Sequence, residues 1–157
     1  MKRQKGFSLI ELLIVVAIIL IIAAIAIPNL MRARMSANEA SAVGSIRTIN
    51  TSEVQYNSTY GIGFAAALSN LGATGSGCTA SVATACLIDS SLSGGTKSGY
   101  TFKAIADSAN NNQTYTATAI PVAVGQTGQR AFFSDQSGVI RYEVAGTAPT
   151  ATSPALQ

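Results

Sequence analysis

The sequence predicts an α+β chain: one long N-terminal helix, a loop region, then a small antiparallel sheet. Three observations predict it. Residues 7–56 carry helix-compatible composition with a single proline, Pro28. Glycines punctuate 61–99. Alternating β-forming segments are confined to the part after Gly99. Helix and strands are therefore segregated along the chain, which is the α+β arrangement.

The chain starts with a short basic segment, MKRQKG, followed by FSLIELLIVVAIILIIAAIAIP. From Leu12 to Ile27 there is no polar side chain. Counted from Phe7 the apolar run is about 21 residues, or roughly 30 Å as a helix, enough for a bilayer core. It is apolar on every face, which suits lipid or a bundle of helices. A cleavable secretory signal is the competing reading, with Ala23-Ala24-Ile25-Ala26 as its small-residue cleavage site. The length of the run and Glu11 near its start argue the other way, because a charge there has to serve something or reach the interface. On composition the two readings stand level.

After Pro28 the pattern becomes NLMRARMSANEASAVGSIRTINTSEVQY. Leu30, Ala33, Ala37, Ala40, Gly44, Ile46, Ile49 and Tyr56 recur at approximate helical spacing, so the helix is expected to continue to about Tyr56 with that face buried. Pro28 is expected to kink it, or else to divide it into two helices. A short helical turn is expected over Ala65–Leu71. Strands are expected over Tyr100–Ala106, Thr114–Val122, Gln129–Ser134 and Val139–Val144, with Asn110-Asn111-Asn112 and Asp135-Gln136-Ser137-Gly138 as turns. The tail TAPTATSPALQ has no core-forming pattern and is expected to fray. The domain plan is thus a 1–6 leader, a 7–28 hydrophobic helix, and a 29–157 unit of helix plus head.

The net charge of +3 resides in the leader. Lys2, Arg3 and Lys5 precede Phe7, and beyond it seven basic residues balance seven acids. Overall charge therefore gives no ground for nucleic-acid binding, although a patch around Arg32 and Arg34 stays open. Cys78 and Cys86 stand in CTASVATAC, without a histidine in the chain to complete a zinc site. In an exported head they are expected to form a disulfide worth about 2.5 kcal/mol; in a reducing compartment they would be free thiols. Nothing assembles a nucleophile with a base, a phosphate loop or a cofactor site, so no enzyme, cofactor or metal is inferred. Asp135 in the DQSG turn is the one candidate calcium ligand, and simple turn chemistry is the competing reading. The aromatic residues of the head read as core rather than as a conductive path.

Gly6-Phe7-Ser8-Leu9-Ile10-Glu11, the following apolar run and Pro28 together resemble the class III signal of type IV pilins and type II secretion pseudopilins, most like a type IVa pilin. The stretches GTKSGYTF and FFSDQSGVIR are similar to heads of some environmental bacterial pilins. The resemblance implies cleavage by a prepilin peptidase between Gly6 and Phe7 and N-methylation of Phe7. It implies an assembly role for Glu11, paired with the Phe7 amine of a neighbouring subunit, and for Pro28. Glu11 at the lipid headgroup level is the simpler alternative. The implied life cycle is a single-pass inner-membrane pool with a cytoplasmic N-terminus. An assembly platform and its ATPases then build it into an extracellular helical homo-oligomer for adhesion, twitching motility or DNA uptake. A type II pseudopilin and a secreted binding module released by signal peptidase are the alternative functions.

Overall fold

A computed structural model describes residues 7–73, 77–144 and 147–156. The chain divides into two units, Met1–Arg34 and Met35–Gln157. Helix α1, Leu9–Tyr60, contributes to both and is assigned as helix through Pro28, so the two-helix alternative does not hold. It ends one turn beyond the expected Tyr56, and Gly61 follows with a left-handed φ of +66°, a helix-stopping conformation that costs glycine little.

In the second unit, α1 is followed by α2 (Leu68–Leu71), α3 (Ser90–Ser93) and a five-stranded sheet. The strands are β1 (Thr96–Lys97), β2 (Tyr100–Ala106), β3 (Tyr115–Pro121), β4 (Arg130–Asp135) and β5 (Arg141–Val144). Their order is β1-β2-β3-β4-β5, antiparallel throughout, as a meander. The β2 sequence YTFKAIA alternates strictly, with Tyr100, Phe102, Ala104 and Ala106 buried and Thr101, Lys103 and Ile105 outward. β3 repeats this with Tyr115, Ala117, Ala119 and Pro121 inward. Pro121 sits at the strand's last position, where a missing N–H does least harm to the ladder. The β2–β3 turn uses Asn111 and Asn112 in left-handed conformation, at φ +50° and +57°.

The core lies between the inner sheet face and one face of α1. Ala42, Ile46 and Ile49 are fully enclosed with Tyr100, Ala117, Ala119 and Phe132. The small inward residues of β3 make room for the isoleucines of the helix. The helix face differs from the one read from apolar spacing. Leu30, Ala33, Ala37, Ala40 and Gly44 are exposed, and the buried positions are Glu39, Ala42, Ser45, Ile46, Ile49, Ser52, Glu53 and Tyr56. Two glutamates and two serines on this face hid its phase, because apolar spacing takes no account of polar residues.

Three further corrections follow from local chemistry. The helical turn expected over Ala65–Leu71 shortens to α2, where the Ala67 amide donates to Asn70 Oδ1 at 3.0 Å. α3 and β1 escaped the sequence reading. Asp89 builds both, capping α3 through the Leu92 amide at 3.0 Å and pairing with Lys97 at 3.0 Å. The described part of the tail, residues 147–156, is not a frayed end. Its Pro154 carbonyl accepts from Tyr142 N and its Leu156 amide donates to Ile140 O, so it lies along β5 as a further edge segment. Ser153 is buried there, and its carbonyl accepts from Arg141 Nη1. Main-chain bonds anchor it, and these leave no hydrophobic pattern in the sequence.

Gly128 gives a direct test of this packing. A Cβ there would collide with the ring and hydroxyl of Tyr100, which is fully buried and donates to Arg130 O at 2.8 Å. Gly128→Ala is expected to lower unfolding free energy by about 1–3 kcal/mol through overpacking, read as a shifted denaturant midpoint with an unchanged m-value. An unaltered midpoint would contradict the packing described.

Candidate assembly site

The first unit concentrates features that a lone soluble chain does not tolerate. Gly6 lies outside the described residues. Phe7 is 80% exposed, and every described residue from Phe7 to Arg34 is exposed except the half-buried Ala23. Fifteen large apolar side chains between Phe7 and Ile27 are left in this condition. Full burial of such a side chain stabilises by roughly 1.5–3 kcal/mol, so covering this row is worth on the order of 20 kcal/mol. That exceeds the total stability of an ordinary domain. The segment therefore belongs in lipid or among other helices. By length and composition the helix can cross a membrane.

Glu11 is the only charge on α1 before Arg32. Its Oε2 accepts from the Ser8 amide at 3.0 Å, satisfying one of the unpaired donors of the helix N-terminus. The carboxylate thus reaches toward the chain start and sits where the helix dipole favours negative charge. Pro28 has no N–H and so leaves the Ala24 carbonyl without its usual partner. Ala23, Ala24 and Ala26 surround that point with small side chains that allow close helix approach.

The second unit holds the remaining candidates. Cys78 and Cys86 are joined in a disulfide, with Cα atoms 6.0 Å apart. The bridge closes a loop whose Ser81 and Thr84 exchange backbone hydrogen bonds of 3.0 and 3.1 Å. Tyr56 of α1 donates its hydroxyl to Val82 O at 2.8 Å and ties the loop tip down. Asp135 Oδ1 accepts from both the amide and the hydroxyl of Ser137, which is turn chemistry. Among the described residues no three carboxylate, cysteine or histidine side chains gather as a metal-sized group.

The sequence reading missed an ion pair. Glu39, on the buried face of α1, accepts from the amides of Gln129 and Arg130 at 2.8 and 3.2 Å. Its other oxygen accepts from Arg130 Nε at 2.8 Å and meets Nη2 at 2.8 Å. The guanidinium lies 5.6 Å from the ring centres of both Phe132 and Tyr142. Glu39 and Arg130 are 91 positions apart, and no local motif announces them.

Comparison with known proteins matches parts of the chain. The family model described as the prokaryotic N-terminal methylation motif matches residues 1–27. The type IV wide pilus major component PilA4 of Thermus thermophilus is 64% identical over 39 residues, which cover 25% of this chain and 30% of that protein. The type IV major pilin protein PilA of Myxococcus xanthus is 43% identical over 54 residues, 34% of this chain and 24% of that protein. A fimbrial protein of Pseudomonas aeruginosa is 51% identical over 51 residues, 32% of this chain and 33% of that protein. The chain spans a third or less of the length of these relatives. No solved structure matches it.

Proposed function

We propose that this chain, which carries the N-terminal methylation motif of type IV pilins ahead of an α+β head, is a structural subunit of a type IV pilus. The observation that carries the reading is the coincidence of that motif with an apolar helix left uncovered in the single chain. The relatives' names speak for a pilus rather than a secretion pseudopilus.

In this reading the subunit waits in the inner membrane as a single-pass protein, its N-terminus cytoplasmic and its disulfide-bonded head in the oxidising compartment. A prepilin peptidase cuts between Gly6 and Phe7, removing Lys2, Arg3 and Lys5, and the Phe7 amine is methylated. The assembly platform and its ATPases then move the helix from lipid into a helical homo-oligomer, where neighbouring apolar helices replace lipid. Pro28 and the alanines before it allow the close packing this requires. Glu11 pairs with the Phe7 amine of an adjacent subunit, which offsets two otherwise unpaired buried charges and sets axial register. The surface filament serves adhesion, twitching motility or DNA uptake.

The test is the mature N-terminus. Intact mass of the filament protein is expected to show loss of residues 1–6, a methyl group added and two hydrogens lost at the cysteines. A start near Ile27, as after signal peptidase, would overturn the reading.

A further inference from the structure

Glu53 lies on the buried face of α1 and is fully enclosed. Its Oε2 accepts from the Ala65 amide at 2.8 Å, and its Oε1 has no hydrogen-bond partner. An ionised carboxylate with an orphaned oxygen is among the costliest groups to enclose, whereas the neutral acid is far cheaper. Ala65 belongs to the connection that leaves α1 at Gly61. That connection closes over the carboxyl and is held on its far side by Phe64, whose amide donates to Asn112 O at 2.8 Å and whose ring meets Tyr115 at 4.6 Å. It runs on into α2, where the Asn70 carbonyl accepts from Ala85 N and the Leu71 carbonyl accepts from Leu87 N and Ile88 N. The disulfide-closed loop is thus anchored on the segment that Glu53 holds.

The groups around Glu53 do not supply a compensating charge. The connection itself, GIGFAAA over 61–67, has no titratable side chain. α1 presents Tyr56, with the tilted Tyr60 ring centred 4.9 Å from its own. β3 presents Tyr115, whose hydroxyl donates to Asn50 and which feels Asp135 from the end of β4. Burial holds Tyr56 and Tyr115 above the ordinary phenol value, so both stay neutral. The ion pairs among the described residues, Lys97–Asp89 and Arg130–Glu39, do not include Glu53.

We infer that Glu53 is a proton-operated clasp: as the neutral acid it lets the 61–67 connection close over it, and on ionisation it loosens that connection and the disulfide loop anchored behind it. The direction of titration agrees. Burial pushes the Glu53 carboxyl up from 4.5 to about 7, against the opposing pull of the Ala65 amide. In the opened form the group is an ordinary glutamate. Between the two values closure takes up one proton, so each unit rise in pH makes opening about tenfold easier. Below 4.5 and above about 7 the two forms bind equal numbers of protons and the dependence ends. Closure is tightest in acid and weakens toward neutrality.

Hydrogen exchange read by mass spectrometry tests this on the full chain in detergent micelles with its disulfide intact, corrected for the intrinsic pH dependence of amide exchange. Protection of residues 62–67 is expected to fall about fortyfold between pH 5 and 7 in the unaltered chain, while Ala42–Ile49 stays protected. Glu53→Gln, neutral at every pH, is expected to show flat protection over 62–67. A flat wild-type profile, or an equal fall in Glu53→Gln, would overturn the inference. If Glu53→Gln loses protection over Ala42–Ile49 and so fails to fold, carboxyl NMR of glutamate-labelled wild type decides. One glutamate titrating near neutrality is expected, and all of them titrating in the ordinary acid range would overturn it.

Discussion

Glu39→Ala is expected to destabilise the head by about 2–4 kcal/mol, chiefly the cost of two enclosed backbone donors left without their acceptor. The reason is the number of groups left stranded. Glu39 is 8% exposed and satisfies the Gln129 and Arg130 amides as well as the Arg130 guanidinium. Its loss leaves two backbone donors unpaired at the entry to β4 and a cation held over two rings without its anion. Arg130→Ala is expected to cost less. The Arg130 side chain is more open to water, and Glu39 keeps both backbone amides when the guanidinium goes. Glu39→Gln should fall between, since an amide oxygen still accepts from one side. Urea unfolding of the full chain in micelles, followed by tyrosine fluorescence, ranks the three. A Glu39→Ala loss below about 1 kcal/mol, the usual ceiling for an exposed pair, would show that the cluster is a surface ornament. So would an Arg130→Ala loss exceeding that of Glu39→Ala.

The same residues show where sequence reading stops. The strands β2 and β3 were legible because YTFKAIA and TYTATAIPV alternate, and alternation is a local consequence of the pleat. The burial of Ile46 and Ile49 was legible from apolar residues at helical spacing. The phase of their helix face was not. Glu39, Ser45, Ser52 and Glu53 are buried by partners that lie beyond the helix, and a polar residue is assigned to solvent unless its partner is known. The tail failed for a related reason, since Ala, Thr, Ser and Pro give no period and its hold on β5 is made by main chain. β1 is two residues long and owes its place to Asp89, which a pattern search does not weigh. The candidate assembly site is the opposite case. Everything from Gly6 to Pro28 is contiguous, so composition, the isolated charge and the proline were all visible at once. What composition left level was whether the segment is kept or discarded, and the match of the methylation motif over residues 1–27 supports the proposal that it is kept.

Glu11→Ala is expected to leave synthesis, membrane insertion and leader removal intact and to abolish surface filaments. Insertion does not need the carboxylate, because its loss makes the segment more apolar. Head folding does not need it, because the second unit begins at Met35 and holds its own core. The local role of Glu11 is the hydrogen bond from the Ser8 amide at 3.0 Å, and loss of such a cap costs about 1 kcal/mol of helix end. That is too little to stop assembly. The charge is another matter. In the proposed filament the freed Phe7 amine lies in a bundle of apolar helices, where an unpaired cation costs several kcal/mol in every subunit. At about 1.4 kcal/mol per tenfold, the free subunit concentration needed for growth rises at least a hundredfold. Glu11→Gln separates the two roles. The amide oxygen still caps Ser8, but the side chain no longer neutralises an amine, so this variant is expected to be nearly as defective as Glu11→Ala. The measurement is the yield of sheared filaments beside the membrane pool, in a strain lacking the wild-type chain. A normal filament yield from Glu11→Gln would make the carboxylate a helix cap and nothing more, and a normal yield from Glu11→Ala would remove it from assembly altogether.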